Sequence, residues 1–91
     1  MTTTLPWTRR DKRRAQEILK KVSDHYGGWQ GIADKLGLSA EGSRATVQAW
    51  HRRGRVPVTQ LQPILNLARA ADVQCTLAEL SPQARHLEML A

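Results

Sequence analysis

Residues 31–57 read "GIADKLGLSAEGSRATVQAWHRRGRVP", two helix-like stretches separated by a glycine and a polar run, the second ending in three arginines. Ile32, Ala33 and Leu36 follow Trp29 at helical spacing, which predicts a short helix from about Trp29 to Leu36. Gly37 stops it. The segment "LSAEG" then reads as a turn, and Ser43 is a suitable cap for a further helix reaching about Arg53. That helix has a narrow apolar stripe, with only Val47 and Trp50 as large apolar residues. Most of its surface must face something other than the core. "RGRVP" ends it, because Gly54 closes the last turn and Pro57 blocks continuation.

Working outward, Thr8 and Asp11 stand in capping-box register before a first helix whose apolar stripe is Ala15, Ile18, Leu19, Val22 and Tyr26. Gly27 and Gly28 close it. Beyond Pro57, a helix from about Thr59 to Ala71 presents Leu61, Ile64, Leu65, Ala68 and Ala71, with Pro63 in its first turn. Thr76 and Glu79 predict a capped single turn, and a last helix is expected from Pro82. "DVQCT" is the one place where a short extended pair is expected. Residues 1–7 read as a flexible arm, 8–80 as the domain, and 81–91 as a C-terminal helix and candidate dimerisation element. Leu80, Leu87, Met89 and Leu90 are the candidate interface residues. The predicted fold class is therefore all-α, a compact domain of four to five helices.

A chain of 91 residues is one domain with a modest core and little room for an enclosed catalytic cleft, which argues against an enzyme. It carries 14 Lys and Arg against 8 Asp and Glu. Up to Arg55 there are 12 basic and 5 acidic side chains, a net of +7, and from there to the end 2 basic and 3 acidic, a net of −1. A basic head with a near-neutral tail suits a polyanion partner and a packing or assembly segment. Cys75 is the only cysteine, so no intramolecular disulfide forms. Single histidines at 25, 51 and 86 lack metal-ligand spacing, and neither a metal nor another cofactor is expected. With no signal-peptide core and no span of the roughly 20 apolar residues that a membrane requires, cytoplasmic residence and no membrane partner are expected.

Two short helices joined by a turn, the second exposing small polar and basic residues, is the sequence form of a helix-turn-helix. Ala33 is small where the helices cross, and Gly37 takes a backbone conformation that a side chain would penalise. With Val47 and Trp50 inward, helical periodicity puts Arg44, Ala45, Gln48, Ala49 and Arg52 on the outer face. Arg44 is suited to guanine, Gln48 to adenine, and the methyls of Ala45 and Ala49 to thymine methyls. Ser43 and the amides at that helix start suit phosphate. Gln30, Lys35, Thr46, Arg53 and Arg55 complete the expected phosphate contacts.

These residues, "GIADKLGL…SRATVQAWHRRGRVP", resemble the helix-turn-helix of phage Cro-type repressors and YdaS-type prophage regulators, and the likeness runs from about Tyr26 to Leu80. The resemblance implies a lambda-repressor-like, dimeric, sequence-specific protein that binds double-stranded DNA and regulates transcription, most plausibly as a repressor at a short palindromic operator. It carries the base-reading positions onto Arg44, Ala45 and Gln48, with Ser43 and Ala49 beside them. The stretch from Gly37 to Val47 is longer than the family's turn, so the recognition helix is free to begin before Ser43, which would bring Glu41 near DNA. Trp29 stands where the family often has a glutamine that bonds to phosphate, so that either Gln30 takes over the contact or it is lost.

Blander readings compete. Arg52, Arg53 and Arg55 suit a helix C-terminal dipole, and "RRDKRR" at residues 9–14 suits a solvated face as well as phosphate. Trp50 and Trp29 read as core, Trp7 as a peripheral plug, and Cys75 as a small buried hydrophobe. Two other functions remain open. One is an antitoxin or adaptor with a protein partner on the C-terminal helix; the other is a non-specific nucleic-acid-binding protein.

Overall fold

The structure, a computed structural model, describes residues 8–38 and 41–81. Among these residues five helices succeed one another: α1 (Arg9–Tyr26), α2 (Trp29–Lys35), α3 (Ser43–Arg53), α4 (Leu61–Ala70) and α5 (Leu77–Leu80), with a 3-10 turn at Val58–Gln60 leading into α4. Among the described residues there is no strand, so "DVQCT" forms no extended pair: residues 73–76 are irregular coil between α4 and α5. The expected arm at residues 1–7 and the helix from Pro82, with Leu87, Met89 and Leu90, lie outside the described residues. No helix among the described residues is long and apolar enough to cross a membrane.

The longest helix organises the rest. α1 starts where Thr8 Oγ1 accepts from the Asp11 amide at 3.2 Å while the Asp11 carboxylate accepts from the Thr8 amide at 3.0 Å. These two bonds satisfy amides that a helix start otherwise leaves unpaired. It ends at Gly27, whose φ of 81° is the left-handed conformation that a Cβ would penalise. Between those ends, Ala15, Ile18, Leu19 and Val22 are fully buried, and α1 packs against all four other helices.

α3 buries Val47 and Trp50, the narrow stripe expected from its sequence, and with them Ser43. Ser43 is not its cap. Gly42 holds that position with φ 86°, because its left-handed backbone turns the chain into the helix, and Ser43 becomes the first helical residue with 9% exposure. Thr46 Oγ1 donates to the Gly42 carbonyl at 3.2 Å. Since α3 begins no earlier than Ser43, Glu41 stays in the preceding turn, exposed.

Two further expectations change. Leu80 is fully buried in the chain's own core, and its carbonyl accepts from the Val56 amide at 2.8 Å, so it is unavailable as an interface residue. Cys75 is half-buried rather than buried, and burial pushes its thiol up. The capped turn at α5 forms as expected, with Thr76 and Glu79 in reciprocal hydrogen bonds. Glu79 also receives Arg14 Nε at 2.7 Å, and Arg14 Nη2 reaches the Gln74 carbonyl at 3.3 Å. One arginine of the "RRDKRR" run thus ties α1 to the segment entering α5.

Candidate nucleic-acid interface

α2 and α3 make the most extensive helix pair in the chain. Gly31 permits it from the α1 side: a Cβ there would collide with the Tyr26 carbonyl, so α2 lies directly against the end of α1. Ala33 is fully buried. Gly37, at φ 75°, donates to the Asp34 carbonyl at 3.1 Å while the Leu38 amide reaches the Ala33 carbonyl at 3.0 Å, closing α2 in the manner that its glycine requires.

The core side of α3 leaves its other faces free. Arg44, Ala45, Gln48 and Arg52 are exposed, and Ala49 is half-buried. Arg44, Gln48 and Arg52 are spaced at i, i+4 and i+8 and so form one stripe along the helix. Thr46 and Arg53 occupy the flank away from that stripe, both exposed, as is Arg55 beyond the helix end. Ser43 is the exception among the expected contacts, because its burial turns it toward the core.

On α2, Gln30 and Lys35 are both exposed but already engaged. Gln30 Nε2 donates to Asp34 Oδ1 at 3.0 Å, and the Lys35 ammonium stands 6.0 Å from the centre of the Tyr26 ring. An anion at Gln30 would have to displace or tolerate the Asp34 carboxylate. The two residues therefore sit apart from the α3 stripe in both position and chemistry.

Behind the stripe, α3 ends against α1. Gly54, at φ 69°, is buried under the stem of Lys12, and a Cβ there would strike Lys12 Cγ and its backbone. Gln16 Nε2 donates to the Arg52 carbonyl at 3.3 Å, satisfying an acceptor at the helix end. The Trp29 and His51 rings lie 4.7 Å apart. Burial, and then the charge of Lys20, push the His51 imidazole below its ordinary pKa.

Among the described residues, the ion pairs lie away from α3. They join Arg14 to Glu17 at 3.5 Å, Arg14 to Glu79 at 2.7 Å, and Lys20 to Asp24 at 3.1 Å. Among the described residues, Arg44, Arg52, Arg53 and Arg55 have no carboxylate partner. All four are exposed. Lys12, Gln16 and Gly31 set this arrangement; sequence reading takes Lys12 only as part of a charged face and gives Gln16 and Gly31 no role, because packing between helices leaves no local pattern.

No known protein family, curated protein or solved structure matches the chain.

Proposed function

We propose that α2 and α3 form a helix-turn-helix and that the protein binds double-stranded DNA sequence-specifically as a transcriptional regulator, acting as a homodimeric repressor at a short palindromic operator. The observation that carries this reading is the exposed α3 stripe. Arg44, Gln48 and Arg52 align on one side of a helix whose arginines have no carboxylate partner among the described residues, while Ser43, Val47 and Trp50 hold the opposite side in the core. An α-helix fits the major groove, where every base pair shows a distinct pattern of donors and acceptors. In this reading Arg44 pairs bidentately with guanine and Gln48 with adenine, each contributing about 1–3 kcal/mol of discrimination. Arg52 follows them along the groove, and the methyls of Ala45 and Ala49 meet thymine methyls. Arg53, Arg55 and Thr46 grip the backbone, as does Lys35 once it leaves Tyr26.

A dimer places two such helices about one turn of DNA apart, which lets a single short helix per subunit specify a site. The reading is tested by selecting bound duplexes from a random pool at near-physiological salt. A palindromic motif with half-sites spaced by about one helical turn is the expected result. Enrichment of no motif overturns sequence-specific recognition and leaves a general polyanion grip, a reading that the same exposed arginines also favour.

A further inference from the structure

α1 carries a second basic stripe that base reading by α3 does not use. Arg9, Arg13 and Lys20 recur at i, i+4 and i+11, which keeps them within about 40° of one another around the helix. All three are exposed. Lys20 is paired with Asp24, whereas Arg9 and Arg13 have no carboxylate partner among the described residues. The opposite flank of α1 is different, since there Arg14 is held by Glu17, Glu79 and the Gln74 carbonyl.

Two contacts lock the free stripe to the end of α3: the Lys12 stem over Gly54, and the Gln16 amide on the Arg52 carbonyl. Arg13, Gln16, Glu17, Lys20 and His51 line one open groove between the two helices, so its cations share it with the Glu17 carboxylate, which also pairs with Arg14. The α1 stripe thus lies beside the end of α3 that carries Arg52.

We infer that Arg9 and Arg13, continued by Lys20, hold the sugar–phosphate backbone of the same duplex whose bases α3 reads. This rests on the DNA-binding reading above and adds the residues outside α2 and α3 that carry its affinity. An extended polyanion suits the stripe better than a small ion does. From Arg9 to Lys20 the helix rises about 16 Å, and duplex DNA presents one charge per about 1.7 Å of its axis. The groove is open, so it would not enclose a single small anion.

The test is the salt dependence of binding to duplex DNA, first of random sequence and then carrying any selected motif. Each lost phosphate contact lowers the slope of log K against log salt by about 0.9. Arg9→Gln with Arg13→Gln is expected to lower it by about 2 while leaving the selected motif unchanged. Arg10→Gln with Lys21→Gln removes the same charge from the neighbouring face, about 60–120° further round the helix and away from α3, and is expected to lower it by less than about 1. Arg9→Lys with Arg13→Lys should restore the wild-type slope. An equal fall for both glutamine pairs reduces the stripe to net charge, and no fall in the first pair removes it from the interface; either overturns the inference while DNA binding stands. Wild-type protein that binds no duplex sinks the DNA reading itself, and the stripe's role with it. The substituted side chains are exposed, so unchanged thermal unfolding of each variant is the check that the fold is intact.

Discussion

Gly31 shows how a single atom decides the packing of α2. Inside a helix, glycine normally costs about 1 kcal/mol relative to alanine, so Gly31→Ala ought to stabilise by propensity alone. Here the added Cβ meets the Tyr26 carbonyl, and overpacking of this kind costs about 1–3 kcal/mol. The expected outcome is a net destabilisation in urea unfolding, and a stabilised variant would contradict the close approach. Trp50 is the large side chain of the α3 stripe, 6% exposed, and Trp50→Ala should cost about 3–5 kcal/mol, enough to unfold a marginal domain. The inward roles of Val47 and Trp50 were legible in sequence because apolar residues at helical spacing have one plausible destination. Gly31 and Ser43 were not. Glycine in a helix looks the same whether it is a defect or a clearance, and serine before a helix looks like a cap until the backbone gives that place to Gly42.

Among the elements, α5 depends on a contact far away in sequence. Glu79 closes its capping box and receives Arg14 from α1. Burial pushes the Glu79 carboxyl up, but the hydrogen bonds from Arg14 and from the Thr76 amide outweigh it and hold the group below its ordinary value. Its stabilisation is therefore complete above the unfolded carboxylate value of about 4.3 and is lost as pH falls through the lower folded value. Glu79→Ala removes the cap and a partly exposed ion pair together, an expected loss of about 1–2 kcal/mol. The Val56 amide, bonded to the Leu80 carbonyl, should exchange faster in that variant, and unchanged exchange would show that α5 docks without Glu79. His51 gives a second pH signature. Burial lowers it in the folded chain, so stability present above about pH 6.5 declines as the unfolded state takes up the proton first. Replacing His51 with Gln is expected to flatten the decline in stability as pH falls below about 6.5, as read by denaturant unfolding; an unaltered slope would remove His51 as its source. Helix positions and both capping boxes could be read from local spacing. The Arg14–Glu79 and Gln16–Arg52 links join residues far apart in the chain, and no local pattern announces them.

At the scale of the whole molecule, charge is divided between a basic head and a near-neutral remainder, and the described core holds all five helices together. The burial of Leu80 moves the expected dimer contact onto residues beyond it. Leu87→Asp with Leu90→Asp should leave a folded monomer in sedimentation and weaken binding to a palindromic site. A dimer of unchanged strength would place the interface elsewhere. The central claim is that the outer face of α3 reads bases, and Gln48 tests it most directly. Wild type and Gln48→Ala should be titrated against the selected duplex and against versions changed at each base pair. The account predicts that the variant loses about 1–3 kcal/mol on the selected site and becomes indifferent at one position per half-site, with its other preferences intact. Equal binding by the two proteins, or a uniform loss across every sequence, would contradict it.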